Sequence, residues 1–225
     1  AGLTPGTQGL DFCRVSLETA GLPSGPLSSY KQIWDVRYQY QLSSTEIAQY
    51  IAYLSSGGSL FLLGEGPFVA TRNNSIFDVV TGAGGQITTS GFTTASDAQS
   101  VNAPFNSNKN TISSVTYAYC GGIPIADIGS ASAITQDSAN LVTALRWGPG
   151  AMTTATSGTL ITVFDVNPLI SGTDQPLYVE NLIEYLAAPS GSSAPAAIPT
   201  LGEWAMIFMA SMMAMFGIRR MRRSK

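Results

Sequence analysis

Histidine is absent from all 225 residues. That removes the imidazole general base, the Ser-His-Asp and Cys-His triads and every histidine-ligated zinc site, and with them most common hydrolase chemistry. There are only two cysteines, Cys13 and Cys120, too few for a cysteine-only metal site. Charge is sparse at 11% of residues, and the six basic residues before position 198 (Arg14, Lys31, Arg37, Arg72, Lys109, Arg146) are scattered. Nothing gathers them into a patch that would neutralise phosphates, so nucleic acid is excluded as an expected partner. No cofactor is expected either. Thirteen acids precede residue 198, giving that portion a net charge of −7, and its solubility must rest on Ser, Thr, Asn and Gly. In an oxidising compartment the two cysteines suffice for one Cys13–Cys120 disulfide, whose long loop would contribute about 4–5 kcal/mol in the chain-entropy model. Two separate buried thiols remain the alternative, because spacing alone gives no distance.

What is present is concentrated at the C-terminal end. Ile198-Pro199-Thr200-Leu201-Gly202-Glu203-Trp204 precedes 14 uncharged residues, Ala205 to Ile218, and then the basic cluster Arg219, Arg220, Arg222, Arg223 and Lys225. A full membrane crossing takes about 20 residues, so this span is short unless Leu201–Trp204 enters the interface and the arginine stems snorkel. Trp204 suits one interface, and the basic cluster is expected to stay cytoplasmic, leaving residues 1–197 outside. A buried core helix with a solvated basic end is the plainer reading of such a run. Segregation of five of the 11 basic residues beyond position 218, with no acid among them, argues for membrane lipid as the partner. The chain starts Ala1-Gly2-Leu3-Thr4-Pro5-Gly6 without a basic n-region or apolar h-region, so a removed signal or a fragment is expected.

The tail resembles the IPTL-CTERM class of bacterial sorting tails, relatives of the PEP-CTERM tails. The match rests on Ile198, Pro199, Thr200, Leu201, Glu203, Trp204, the apolar run and the arginine stop; Ala205 stands where a glycine often follows the tryptophan. That resemblance implies an exosortase-like sorting enzyme as partner and a cell-envelope location with a single-pass anchor. Cleavage near the motif, with release to the surface or matrix, is implied as an alternative end state.

Before the tail, Leu10, Phe12, Val15 and Leu17 give a first helix over residues 8–20, closed by Gly21. Residues 30–37 read as a strand. Ser43-Ser44-Thr45-Glu46 forms a capping signal before Ile47, Tyr50, Ile51 and Leu54, and Gly57-Gly58 ends that helix. Ser59–Leu63 is a continuous apolar run of the kind found in a strand buried on both faces, followed by Gly64-Glu65-Gly66. A short helix over 75–80, weak alternation over 86–118, strands over 140–147 and 158–165 with a turn at Gly148-Pro149-Gly150, and a helix opened by Pro176 complete the domain. The expected organisation is an α/β domain over 1–187, an Ala/Ser/Pro linker over 188–197, and the tail over 198–225.

Ile33-Trp34-Asp35 with Tyr53 to Glu65 resembles the flavodoxin-like domains of the class I glutamine amidotransferase superfamily, including its non-catalytic ThuA-like relatives. The resemblance implies a mostly parallel sheet flanked by helices, with a first strand missing ahead of residue 8. It also implies that amidotransferase activity does not carry over, since Glu65 holds the turn where catalytic members have cysteine.

Glu65 and Asp35 are the candidate acids, because ligands in open α/β sheets bind beyond the carboxyl ends of strands. Two carboxylates can share acid-base work or hold a hard cation, but capping roles and salt bridges such as Glu65–Arg72 or Asp35–Arg37 are the competing reading. Arg72, Asn73 and Trp147 are candidate ligand contacts. Tyr117, Tyr119 and Trp147 could stack on sugars of an extracellular polysaccharide, although aromatics near apolar strands more often belong to the core. The expected function is an exported, non-catalytic α/β ectodomain with a structural or adhesive role. A glycan-binding module, or a hydrolase or lyase using Glu65 and Asp35, is the alternative.

Overall fold

The computed structural model describes residues 21–22, 25–169 and 175–188, all within one compact unit, Ala1–Gly191. The helix expected over 8–20, Cys13, most of the linker and the whole tail lie outside the described residues. Among the described residues, no helix is long and apolar enough to cross a membrane.

In chain order the elements are β1 Gln32–Asp35, α1 Ser44–Ser55, β2 Ser59–Leu63, α2 Ala70–Gly82, β3 Thr93–Thr94, β4 Ala98–Val101, β5 Ser114–Thr116, β6 Gly121–Pro124, β7 Ser132–Gln136, β8 Leu141–Trp147, β9 Thr159–Val163 and α3 Gln175–Ala187. Short 3-10 turns at Pro67–Val69 and Asn167–Leu169 follow β2 and β9. The strands form one nine-stranded sheet in the order β1-β2-β9-β8-β7-β4-β5, with β6 on β8 and β3 on β6.

Strand direction overturns the expected mostly parallel, flavodoxin-like sheet. Only β1, β2 and β9 run parallel; β8, β7, β6, β5, β4 and β3 all join through antiparallel pairs. The physical cause lies in the connections. β8 reaches β9 through residues 148–158 without a helix, and a connection that turns straight back leaves its strands antiparallel. The weakly alternating stretch 86–118 supplies β3, β4 and β5, of two to four residues each. β1-α1-β2 does form the expected βαβ unit.

The apolar run of β2 is explained by cover on both faces. Leu60 and Leu62 face α1 and α2, alongside Tyr50, Tyr53, Leu54, Val79 and Val80. Phe61 and Leu63 face the other side, with Ile161, Val163 and the α3 residues Tyr178 and Leu182. Alternate residues of a strand point to opposite faces, so every residue from Leu60 to Leu63 is fully buried, each contributing about 1.5–3 kcal/mol. α1 begins where its sequence says it should: Ser43 Oγ accepts from the Glu46 amide at 3.3 Å, and the Ser43 amide donates to Glu46 Oε2 at 2.8 Å. It ends at Gly57, whose φ of +89° is a left-handed turn suited to glycine.

α3 fastens the segment between β4 and β5 through one side chain. Asn181, fully buried, donates from Nδ2 to the carbonyls of Phe105 (2.6 Å) and Asn110 (2.8 Å), and its Oδ1 accepts from the Asn110 amide (2.7 Å). Asn108 Nδ2 completes the clasp on the Asn181 carbonyl at 2.9 Å. Asn181→Leu strands one buried and two part-buried main-chain groups, so a loss of about 3 kcal/mol in urea unfolding is expected; a loss below about 0.5 kcal/mol would show that water replaces the clasp.

Candidate functional site

Parallel strands end on one edge of a sheet, and here β1, β2 and β9 each lead into an acid at that edge. Asp35 closes β1. Leu63 pairs with Val163, and the Gly64 amide donates to the Val163 carbonyl at 2.8 Å, so Glu65 and Asp165 lie side by side two residues farther on. Asp165 escaped the sequence reading, although the run 158–165 ends in an acid as 59–65 does; their proximity depends on register.

Asp35 is the centre of a buried ionic cluster. Its Oδ2 lies 2.6 Å from Arg37 Nη2 and accepts from the Tyr50 hydroxyl at 3.0 Å; its Oδ1 accepts from Arg37 Nε (3.0 Å) and lies 3.2 Å from Arg72 Nη2. Arg37 also reaches Glu46 Oε1 at 2.8 Å. Arg72 has no solvent exposure and donates to the carbonyls of Leu63 (2.9 Å), Tyr40 (3.3 Å) and Asp35 (3.4 Å). Burial pushes the Asp35 carboxyl up, but the Arg37 hydrogen bonds and the Arg72 and Arg37 charges outweigh it and leave the pKa lowered. Burial and the neighbouring Asp35 charge raise the Tyr50 phenol. Of the two expected ion pairs, Asp35–Arg37 forms, whereas Arg72 turns to Asp35 instead of Glu65.

Glu65 is held by main-chain donors. Its Oε1 accepts from the Gly66 amide (2.9 Å) and its Oε2 from the Val166 amide (3.4 Å). Asn73 brackets the same turn, accepting from the Glu65 amide at 3.1 Å and donating to the carbonyls of Glu65 (2.8 Å) and Gly66 (3.1 Å). Asp165 accepts from the Ala118 amide at 2.6 Å and from the Asn167 amide and side chain at 2.8 and 2.7 Å. Burial raises the pKa of both acids, with the Asp165 charge adding to the shift at Glu65 and the Asp97 charge adding at Asp165.

Arg72 and Asn73 therefore point inward as clamps on the strand ends. Trp147 lies in the core at 0% exposure, packed beside Gly85, with no face open to a sugar, and Tyr117 is buried with its hydroxyl 3.0 Å from Thr135 Oγ1. Tyr119 is exposed. Cys120 is fully buried among Gln99, Thr143 and the Ala95 and Ser96 carbonyls, and burial pushes its thiol up to about 11. Among the described residues, no three acids and cysteines gather closely enough to hold a metal ion.

Comparison with known proteins adds three findings. Residues 196–223 match the IPTL-CTERM motif, 28 residues of the 225. No curated protein matches the sequence. Among solved structures, the mmIFT52 N-terminal domain is similar with a TM-score of 0.53 at 12% identity, covering 71% of this chain and 78% of that one. The exo-beta-1,4-mannosidase Op5Man5 from Opitutaceae bacterium strain TAV5 gives a TM-score of 0.44 at 14% identity over 75% of this chain and 27% of that one. The first is a likeness of fold, and it replaces the glutamine amidotransferase-like assignment; the second is too distant to carry an argument.

The two kinds of acid respond oppositely to pH. A lowered pKa makes the Asp35 contribution complete above about pH 4, its ordinary range, and drains it as pH falls through the folded value. The raised pKa of Glu65 and Asp165 favours the folded state while they are protonated, and that advantage is lost as pH rises from about 4 through their folded values. Asp35→Asn should cost about 3–5 kcal/mol at pH 7 by leaving the Arg72 charge uncompensated. Glu65→Gln removes a costly charge but loses one main-chain bond, the long one from the Val166 amide, because the glutamine NH2 cannot accept, and should stay within about 1 kcal/mol. Urea unfolding between pH 3 and 8 measures both; equal losses for the two variants would contradict this division.

Proposed function

We propose that the domain is a non-catalytic ectodomain with a structural or adhesive part in the cell envelope or extracellular matrix. The IPTL-CTERM motif indicates an exported, surface-sorted protein processed by an exosortase-like enzyme. The observation that carries the non-catalytic reading is the occupation of the candidate acids. Asp35 is closed within two arginines and a tyrosine, and both Glu65 oxygens accept from main-chain amides. A general acid or base must reach a substrate proton at hydrogen-bond distance with an oxygen free to exchange it. Asp35 is also held ionised by its neighbours, the wrong direction for a proton donor at neutral pH.

Single-pass anchoring through Ala205–Ile218 belongs to the same proposal, with Arg219, Arg220, Arg222 and Arg223 retained on the cytoplasmic side. Fractionation of an expressing bacterium tests it. The full chain should partition with the envelope, and a chain ending at Ala197 should appear as soluble protein outside the cytoplasm. Replacing the four arginines by glutamate should abolish retention. Full-length protein free in the cytosol, or equal envelope retention of the truncated chain, would defeat the proposal.

A further inference from the structure

The rim where β2 and β9 end carries two aromatic rings that the core does not use. Phe68, in the turn Pro67–Val69, is 71% exposed, and Tyr119, between β5 and β6, is 76% exposed. The Phe68 ring and the Tyr119 main chain meet at Gly66, where a Cβ would collide with both the Phe68 ring and the Tyr119 carbonyl. Each is tied to a strand-end acid, since Phe68 is three residues beyond Glu65 and the Ala118 amide next to Tyr119 is bonded to Asp165.

Tyr119 is held there against its own preference. Its φ is +60°, a left-handed backbone that a residue with a side chain seldom adopts and glycine adopts freely. Three hydrogen bonds fix the strained tip: the Tyr119 amide to Asp97 Oδ1 at 3.1 Å, the Ala118 amide to Asp165 Oδ2 at 2.6 Å, and the Gly121 amide to the Phe164 carbonyl at 2.9 Å. None of them involves the Tyr119 ring. A position that would suit glycine thus presents a large ring to solvent, and such strain concentrates where a side chain must be displayed.

The surroundings select the ligand. The exposed Asp97 and the buried Glu65 and Asp165 bring only acids to this rim, and among the described residues the arginines at the same sheet edge, Arg37 and Arg72, are tied to Asp35 and Glu46. Among the described residues at this edge, no basic side chain is left to receive a phosphate, sulfate or uronate. Two rings offer on the order of 400 Å², whereas a stable protein interface takes about 800 Å² from each partner. Insertion into a bilayer would bring the adjoining carboxylates toward hydrocarbon, which is costly. A pyranose ring fits all three constraints: its flat C–H face stacks on an aromatic ring, its hydroxyls stay wet or donate to the exposed Asp97 carboxylate, and it carries no charge.

We propose that Phe68 and Tyr119 form a stacking platform for a neutral polysaccharide. This gives the adhesive form of the surface-sorted reading a ligand class, and it rests on that reading only for where the ligand is met.

The test uses the purified full chain in mild detergent, run through native gels containing a neutral glucan, mannan or galactan, with alginate as anionic control and phosphatidylcholine vesicles in a parallel flotation assay. At least one neutral polysaccharide should retard the protein, and alginate and vesicles should not. Phe68→Ala and Tyr119→Gly should each weaken the retardation about tenfold or more, while Tm stays at or above the parent value because Phe68 is exposed and glycine relieves the left-handed tip. The proposal is overturned by no retardation in any neutral polysaccharide, by binding that both variants preserve, or by binding confined to vesicles or alginate. Because the assay is independent of localisation, a correctly sorted protein that ignores every neutral glycan removes this proposal and leaves the sorting proposal standing.

Discussion

Arg72 is a cation with no access to water, and the edge of the sheet is organised around keeping it satisfied. Taking a guanidinium out of water costs several kcal/mol, which only charge and hydrogen bonds inside the protein can offset. Its donors reach the Asp35 carboxylate, the Asp35 and Leu63 carbonyls at the ends of two strands, and the Tyr40 carbonyl in the loop after β1. One side chain on α2 therefore joins β1, β2 and the β1–α1 loop. The cluster is also electrically closed, because Arg37 bridges Asp35 to Glu46 and two cations meet two anions. Rigidity at this edge and the engagement of both arginines there have the same origin.

The neighbouring acids show what happens where no cation is supplied. Glu65 and Asp165 are as deeply buried as Asp35, yet their pKa values move up instead of down. Main-chain amides stand in for the missing arginines: Gly66 and Val166 donate to Glu65, and Ala118 and Asn167 donate to Asp165. Each of those bonds holds a loop, so the acids draw the β2–α2 turn, the segment after β9 and the β5–β6 tip together. Tyr119 is displayed because its flanking residues are captured in this way. The strain at Tyr119 and the burial of Asp165 belong to one arrangement.

The sequence announced the elements whose signals are local. Ser43 and Glu46 marked the start of α1, and the unbroken apolar run 60–63 marked a strand covered on both faces. Such a run reads identically whether its neighbours are parallel or antiparallel, so β2 carried no information about direction and the mostly parallel expectation failed beyond β9. β3, β4 and β5 were faint because they are short and half exposed, with few apolar residues to set a period. At the site, Glu65 and Asp35 were legible as acids closing strands, and Asp35–Arg37 followed from proximity in the chain. The turning of Arg72 to Asp35, 37 residues away, was not legible, and neither was the meeting of Glu65 with Asp165. Trp147 looked available because a strand end can face either way; long-range packing beside Gly85 decided for the core.

Charge economy connects the interior to the surface. With 11% charged residues, this chain commits Arg37, Arg72, Asp35 and Glu46 to a single cluster and joins Lys109 to Glu180 beside the Asn181 clasp. What faces solvent is largely Ser, Thr, Asn and Gln, whose hydrogen bonds persist at high ionic strength, whereas the attraction of exposed charges is screened within about 8–10 Å. A surface of that kind is poorly suited to electrostatic steering and well suited to ligands recognised through neutral hydroxyls and ring faces. The exposed aromatic pair and the scarcity of free cations therefore favour the same class of partner for independent reasons. One is the apolar area that must be covered, and the other is the charge that a ligand must lack.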